Sequence, residues 1–176
     1  MSIKKSQEYM ILGLLFNGPM YGYEVHHYFK TKLDRLLYTG ISQVYALLKG
    51  LEKKDMVRCK TEIQENRPPK KIYSITPHGK NSLIKWLRTP VKNIRDLRVE
   101  FLSKLFLIKE TKIYKVYELV DQEIELLEKK SDKIKKVEIA SKNDFEHLVL
   151  KFRLSQIDAA INWLKESEKY LKGVSQ

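Results

Sequence analysis

A single cysteine, Cys59, stands in 176 residues, so no intrachain disulfide can form, and a reducing cytoplasm is the expected compartment. No apolar run approaches the roughly 20 residues a membrane-spanning helix needs. The stretch from Tyr9 to Phe16 is also too short for a secretory leader with its flanks. Glycine-rich phosphate loops, a nucleophile elbow and metal-spaced His or Cys clusters are all missing, which argues against an enzyme. His26 and His27 sit near Glu24, but adjacent residues on a helix diverge by about 100° and cannot both face one ion. Neither metal nor cofactor is expected. Acidic residues are scarce: 22 Asp+Glu against 34 Lys+Arg leave a net charge of +12.

That charge is uneven. Residues 1–88 hold 16 Lys+Arg against 7 Asp+Glu, and the remaining residues 18 against 15. A basic N-terminal half is a footprint for a polyanion, either nucleic acid or an anionic membrane surface.

Hydrophobic periodicity predicts a first helix from about Lys4 to Phe16, stopped by Asn17-Gly18-Pro19. A second runs from Met20 or Tyr21 to about Leu37, and a third from Ser42 to Lys54 with Val44, Leu47, Leu48 and Leu51 inward. Strands follow at 57–64 and 70–75, with Val57, Cys59, Thr61 and Ile63 expected on the inner face of the first. The turn between them, Glu65-Asn66-Arg67-Pro68-Pro69, carries prolines that cannot donate to another sheet. Thr76-Pro77 reads as an N-cap and first helical residue, opening a fourth helix that ends at Thr89-Pro90. Three short helices and a basic two-stranded hairpin make a winged helix-turn-helix.

Beyond Pro90 the pattern is helical, with an expected boundary between domains of residues 1–88 and 89–176. A long helix is predicted from Thr111 to Ser141. In it Ile113, Tyr117, Val120, Ile124, Leu127, Ser131, Ile134 and Glu138 step by four and three, a coiled-coil-like seam that predicts dimerisation. The last helix covers Asp144 to Leu171. The fold class expected is therefore mainly α, a winged helix followed by an all-helical dimerisation domain.

If helix 3 buries its apolar face, Ser42, Tyr45 or Ala46, Lys49 and Lys53 point out, with Gln43 near the N-terminal end. Gln pairs bidentately with adenine, and Ser and Lys serve bases or phosphates. Arg67, Lys70 and Lys71 of the hairpin suit phosphates or the minor groove, so that helix 3 sets specificity and the wing affinity.

At these residues the sequence resembles the PadR family of bacterial winged-helix regulators. The matching blocks are Ile11-Leu12-Gly13-Leu14-Leu15, Gly18-Pro19-Met20-Tyr21-Gly22-Tyr23-Glu24, Ser42-Gln43-Val44-Tyr45 through Leu51-Glu52, and Arg67 through Thr76 with Gly79, Leu83, Trp86 and Leu87. The segment Asp96 to Phe101 and the helices behind it resemble the larger C-terminal domain of the branch that includes virulence-gene activators. The resemblance implies a homodimer on a pseudo-palindromic operator, usually repressing transcription, with Tyr45 and the wing cations at the DNA; Tyr21, inside a matching block, is a further candidate DNA contact. It also implies a possible small aromatic effector, for which Trp86, Phe101 and Phe106 are candidate pocket residues. Two positions depart from many relatives: Ala46 replaces proline, and Asp55 replaces glycine. The rival reading is a basic membrane-surface or protein-interaction module without specific DNA binding.

Overall fold

The computed structural model describes residues 3–64, 67–140 and 143–172, apart from the side chains of residues 64, 67, 68, 140 and 168–172. Its elements run α1 Ile3–Phe16, β1 Met20–Tyr21, α2 Gly22–Tyr28, α3 Ile41–Lys53, β2 Val57–Gln64, β3 Arg67–Ile75, α4 Pro77–Leu87, α5 Leu102–Thr111, α6 Val116–Ala140 and α7 Asp144–Lys172. They form two compact units. The first comprises Met1–Thr89 with Arg98–Tyr114, the second Pro90–Leu97 with Lys115–Gln176.

In the first unit α1 is the central helix. Met10 to Leu15 are buried without interruption, as expected of a helix apolar all round and covered on several sides. It packs against α3, α4, α5 and β3. Gly13 makes the approach to α5 possible, since a Cβ there would lie 2.3 Å from Leu107 Cδ2. This seats α5 on the winged-helix core, although it follows the linker in sequence. Tyr9 stacks on Trp86 of α4 with centroids 4.5 Å apart.

Three features of this unit differ from what the sequence predicts. Helix 2 is shorter than its periodicity suggests, because α2 widens into a π turn at Phe29–Leu33. Met20 and Tyr21 are a short strand pairing with Tyr73 and Ile72, so the wing joins a three-stranded sheet in the order β1-β3-β2. The inner face of β2 also fades along its length. Val57 is buried, Cys59 half-buried, and Ile63 is 90% exposed, because the hairpin runs out beyond the core that would cover it.

In the second unit α6 and α7 form a hairpin of helices. Leu119, Val120 and Leu127 of α6 are buried, as are Leu150, Ile157, Ile161 and Leu164 of α7. The predicted dimer seam is thus divided. Val120 and Leu127 are 0% and 1% exposed within one chain, so they spend their surface on their own hairpin. Ile124 and Ile134 are half-buried, and Tyr117 is exposed. Ile113 precedes the helix: Lys112 adopts a left-handed conformation (φ 53°) that caps α5, and α6 starts only at Val116. The linker is held from within this unit, the Val91 N–H donating to buried Glu123 Oε2 at 2.7 Å.

Candidate nucleic-acid interface

α3 buries Val44, Leu47, Leu48 and Leu51, and that orientation leaves Ser42, Gln43, Tyr45, Ala46 and Lys49 exposed. Tyr45 lies across Gly22, where a Cβ would come within 2.5 Å of its ring. Only glycine leaves room for the ring in this position. Gly22 begins α2, and Tyr21 just before it caps that helix, its N–H donating to Glu24 Oε2 at 2.8 Å.

Tyr21 carries the connection onward to the wing. Its hydroxyl donates to Glu62 Oε2 of β2 at 2.8 Å. Its ring stacks on Tyr23 with centroids 5.6 Å apart, and Lys70 Nζ of β3 sits 5.6 Å from its centroid. The bond to Glu62 pushes the Tyr21 phenol above its ordinary pKa, with burial adding to it, so it remains a neutral donor. Lys70 stands opposite Glu62 and Lys71 opposite Thr61 in the β2–β3 ladder. Lys71 is exposed. Arg67 opens β3, and its side chain lies outside the described residues.

Gln43 is anchored from below. Its Nε2 donates to Gln7 Oε1 at 2.8 Å, and buried Gln7 donates to Thr39 Oγ1 at 3.0 Å and to the Tyr38 carbonyl at 3.1 Å. Gln7, Gly22, Glu24 and Glu62 are site residues that sequence reasoning passed over. Gln7 left a signal: it lies four residues before Ile11, on the apolar side of α1. The partnership of Glu62 with Tyr21 is legible only once the strand register is known.

The candidate effector residues all belong to the first unit. Phe101 is fully buried, and Phe106 meets Tyr28 edge-on at 6.3 Å. Trp86 is buried beneath Tyr9, with Lys104 Nζ 5.0 Å from its centroid. Lys104 is itself buried, pairs with Glu100 at 2.9 Å and donates to the Thr89 carbonyl. Among the described residues no cluster of three or more His, Cys, Asp or Glu is placed to hold a metal ion, and no helix is long and apolar enough to cross a membrane.

Residues 11–85 match the transcriptional regulator PadR-like family. The chain carries a PadR-like family domain there. Its residues 97–172 match a second family domain, the virulence activator alpha C-terminal domain. The PadR-like chain is 35% identical over 101 residues to the negative transcriptional regulator PadR of Bacillus subtilis, covering 57% of this chain and 56% of the relative. It is 31% identical over 77 residues to a probable transcriptional regulator of Mycobacterium tuberculosis, covering 44% and 41%. The chain therefore spans about half the length of the curated relatives it matches. A crystal structure of Bacillus subtilis PadR in complex with operator DNA shares 28% identity, with 90% of this chain and 96% of that chain covered and a TM-score of 0.48.

Proposed function

We propose that this PadR-like protein is a cytoplasmic homodimer that represses transcription by binding a pseudo-palindromic operator. The observation that carries this reading is the side-chain chain from Tyr45 over Gly22 to Tyr21, and from Tyr21 to Glu62 and Lys70. It ties an exposed, polar helix face to a basic hairpin, which suits α3 to the major groove and the wing to the flanking backbone. Repression is supported by the Bacillus subtilis relative, a negative regulator. No catalytic step enters this reading.

Support for the dimer comes from α7. Phe145, Leu148 and Phe152 recur at three- and four-residue spacing and are 72%, 63% and 61% exposed, on the side of the helix away from Leu150 and Ile157. A contiguous apolar stripe of this kind marks an association surface, and we assign it to a second copy. For the effector, Trp86 offers a buried Nε1 with no hydrogen-bond partner among the described residues, a donor that an acceptor oxygen on a small aromatic ligand would satisfy.

The test is fluorescence anisotropy on duplex DNA from upstream of the gene, competed with random DNA and with anionic vesicles. Specific DNA should survive both competitors, and the Lys70→Glu, Lys71→Glu double variant should lose binding. Vesicles that displace the DNA outright would favour the membrane-surface reading instead.

A further inference from the structure

The second unit carries a recess of about 600 Å³ between the linker and the α6–α7 hairpin. Its wall holds five cations, Lys92, Arg95, Lys130, Lys133 and Arg153, and no Asp or Glu. Among the described residues none of the five forms an ion pair with a carboxylate. The adjacent carboxylate of Asp96 is buried and accepts from Asn93 Nδ2 at 3.1 Å. Lys130 donates to the Lys92 carbonyl, which fixes its ammonium at the mouth between linker and α6. The floor is apolar: Leu127 and Ile157 are buried, and Ile94 and Ile134 half-buried.

Five like charges around one recess, with Asp96 beside Arg95 as a nearby counter-charge, repel one another, and a bound anion reverses that penalty. A single carboxylate would neutralise only one of them, so the wall matches a group carrying several charges, to which Arg and Lys donate charge-assisted hydrogen bonds. The volume lies within the 300–1,000 Å³ typical of small-molecule sites, and an apolar floor with a few converging polar groups is their usual build. We propose that this recess binds a phosphorylated small molecule, its phosphates on the five cations and an aromatic or aliphatic body on Leu127, Ile134 and Ile157. A nucleoside diphosphate is the representative of that class. The site uses none of the residues assigned to DNA, so it stands or falls independently of the operator.

The experiment is isothermal titration of the full chain with adenosine diphosphate, and in separate arms with pyrophosphate, adenosine and phosphatidylglycerol vesicles. Adenosine diphosphate should bind saturably at one site per chain, more tightly than pyrophosphate or adenosine. The Lys130→Ala, Arg153→Ala variant should weaken it about tenfold or more. The wing variant Lys70→Ala, Lys71→Ala should leave it unchanged. Lys133→Glu, at an exposed position, is the second variant should the double one lose its helical circular dichroism. Four outcomes would overturn the proposal: no binding, equal affinity for pyrophosphate and adenosine diphosphate, loss with the wing variant alone, or binding to vesicles only.

Discussion

Gln43 and Lys71 are both exposed and polar, yet their surroundings give them different tasks. Gln43 is fixed by Gln7, so under the proposed function its amide would meet a base edge from a defined position, while Lys71 stands exposed on the wing, where it would reach a phosphate. Gln43→Ala should cost roughly 1–3 kcal/mol at one operator position and leave affinity for random DNA nearly intact. Lys71→Ala should weaken binding to every sequence and lower the salt slope by about one unit for each phosphate it no longer neutralises. Anisotropy titrations at several salt concentrations separate the two, and equal effects on specific and random DNA would refute the division. Asp55 is a second case. It holds φ 51°, a left-handed conformation that favours glycine, and its carbonyl accepts from Thr76 Oγ1 at 2.6 Å. From sequence it read only as a departure from glycine, because a dihedral angle is invisible in the letters. Asp tolerates this region better than bulkier residues. Asp55→Val should therefore cost about 1–2 kcal/mol in urea unfolding, and Asp55→Gly much less.

At the scale of elements, the long C-terminal helices bury one apolar face inside the chain and show another to solvent. Leu127→Ala should cost about 2–5 kcal/mol of stability, because it opens a cavity between α6 and α7, and should leave the oligomeric state of the folded protein intact. Leu148→Asp with Phe152→Asp should do the reverse, giving folded monomers in light scattering. Monomers from Leu127→Ala, with the α7 double variant still dimeric, would place the interface on α6. The periodicity of α6 was plain in the sequence, but periodicity says only that a face is covered, not whether a partner or the same chain covers it. Helix 3, the hairpin and the Thr76 cap were legible for a firmer reason. Thr76 Oγ1 accepts the Gly79 N–H at 3.0 Å, a local bond that the Thr-Pro pair already encodes. The strand at Met20 and Tyr21 was not legible, since two residues pairing with a distant segment of the chain leave no local pattern.

At the scale of the whole molecule, the expected boundary between residues 1–88 and 89–176 implies a single crossing of the chain from one part to the other. The chain instead passes between its two units three times, after Thr89, Leu97 and Tyr114. The reason lies in α5, whose Leu107 fits against Gly13 and so returns to the winged-helix core. A dimer built on such chains presents two copies of α3, and these enter successive major grooves only when their spacing matches one turn of B-DNA, roughly 34 Å. The most direct measurement is selection of bound sequences from a random duplex pool by the full-length protein. A dimer seated in successive grooves should select an inverted repeat with half-site centres about 10 base pairs apart. An enriched single half-site, or a pool that stays random after repeated rounds, would contradict it.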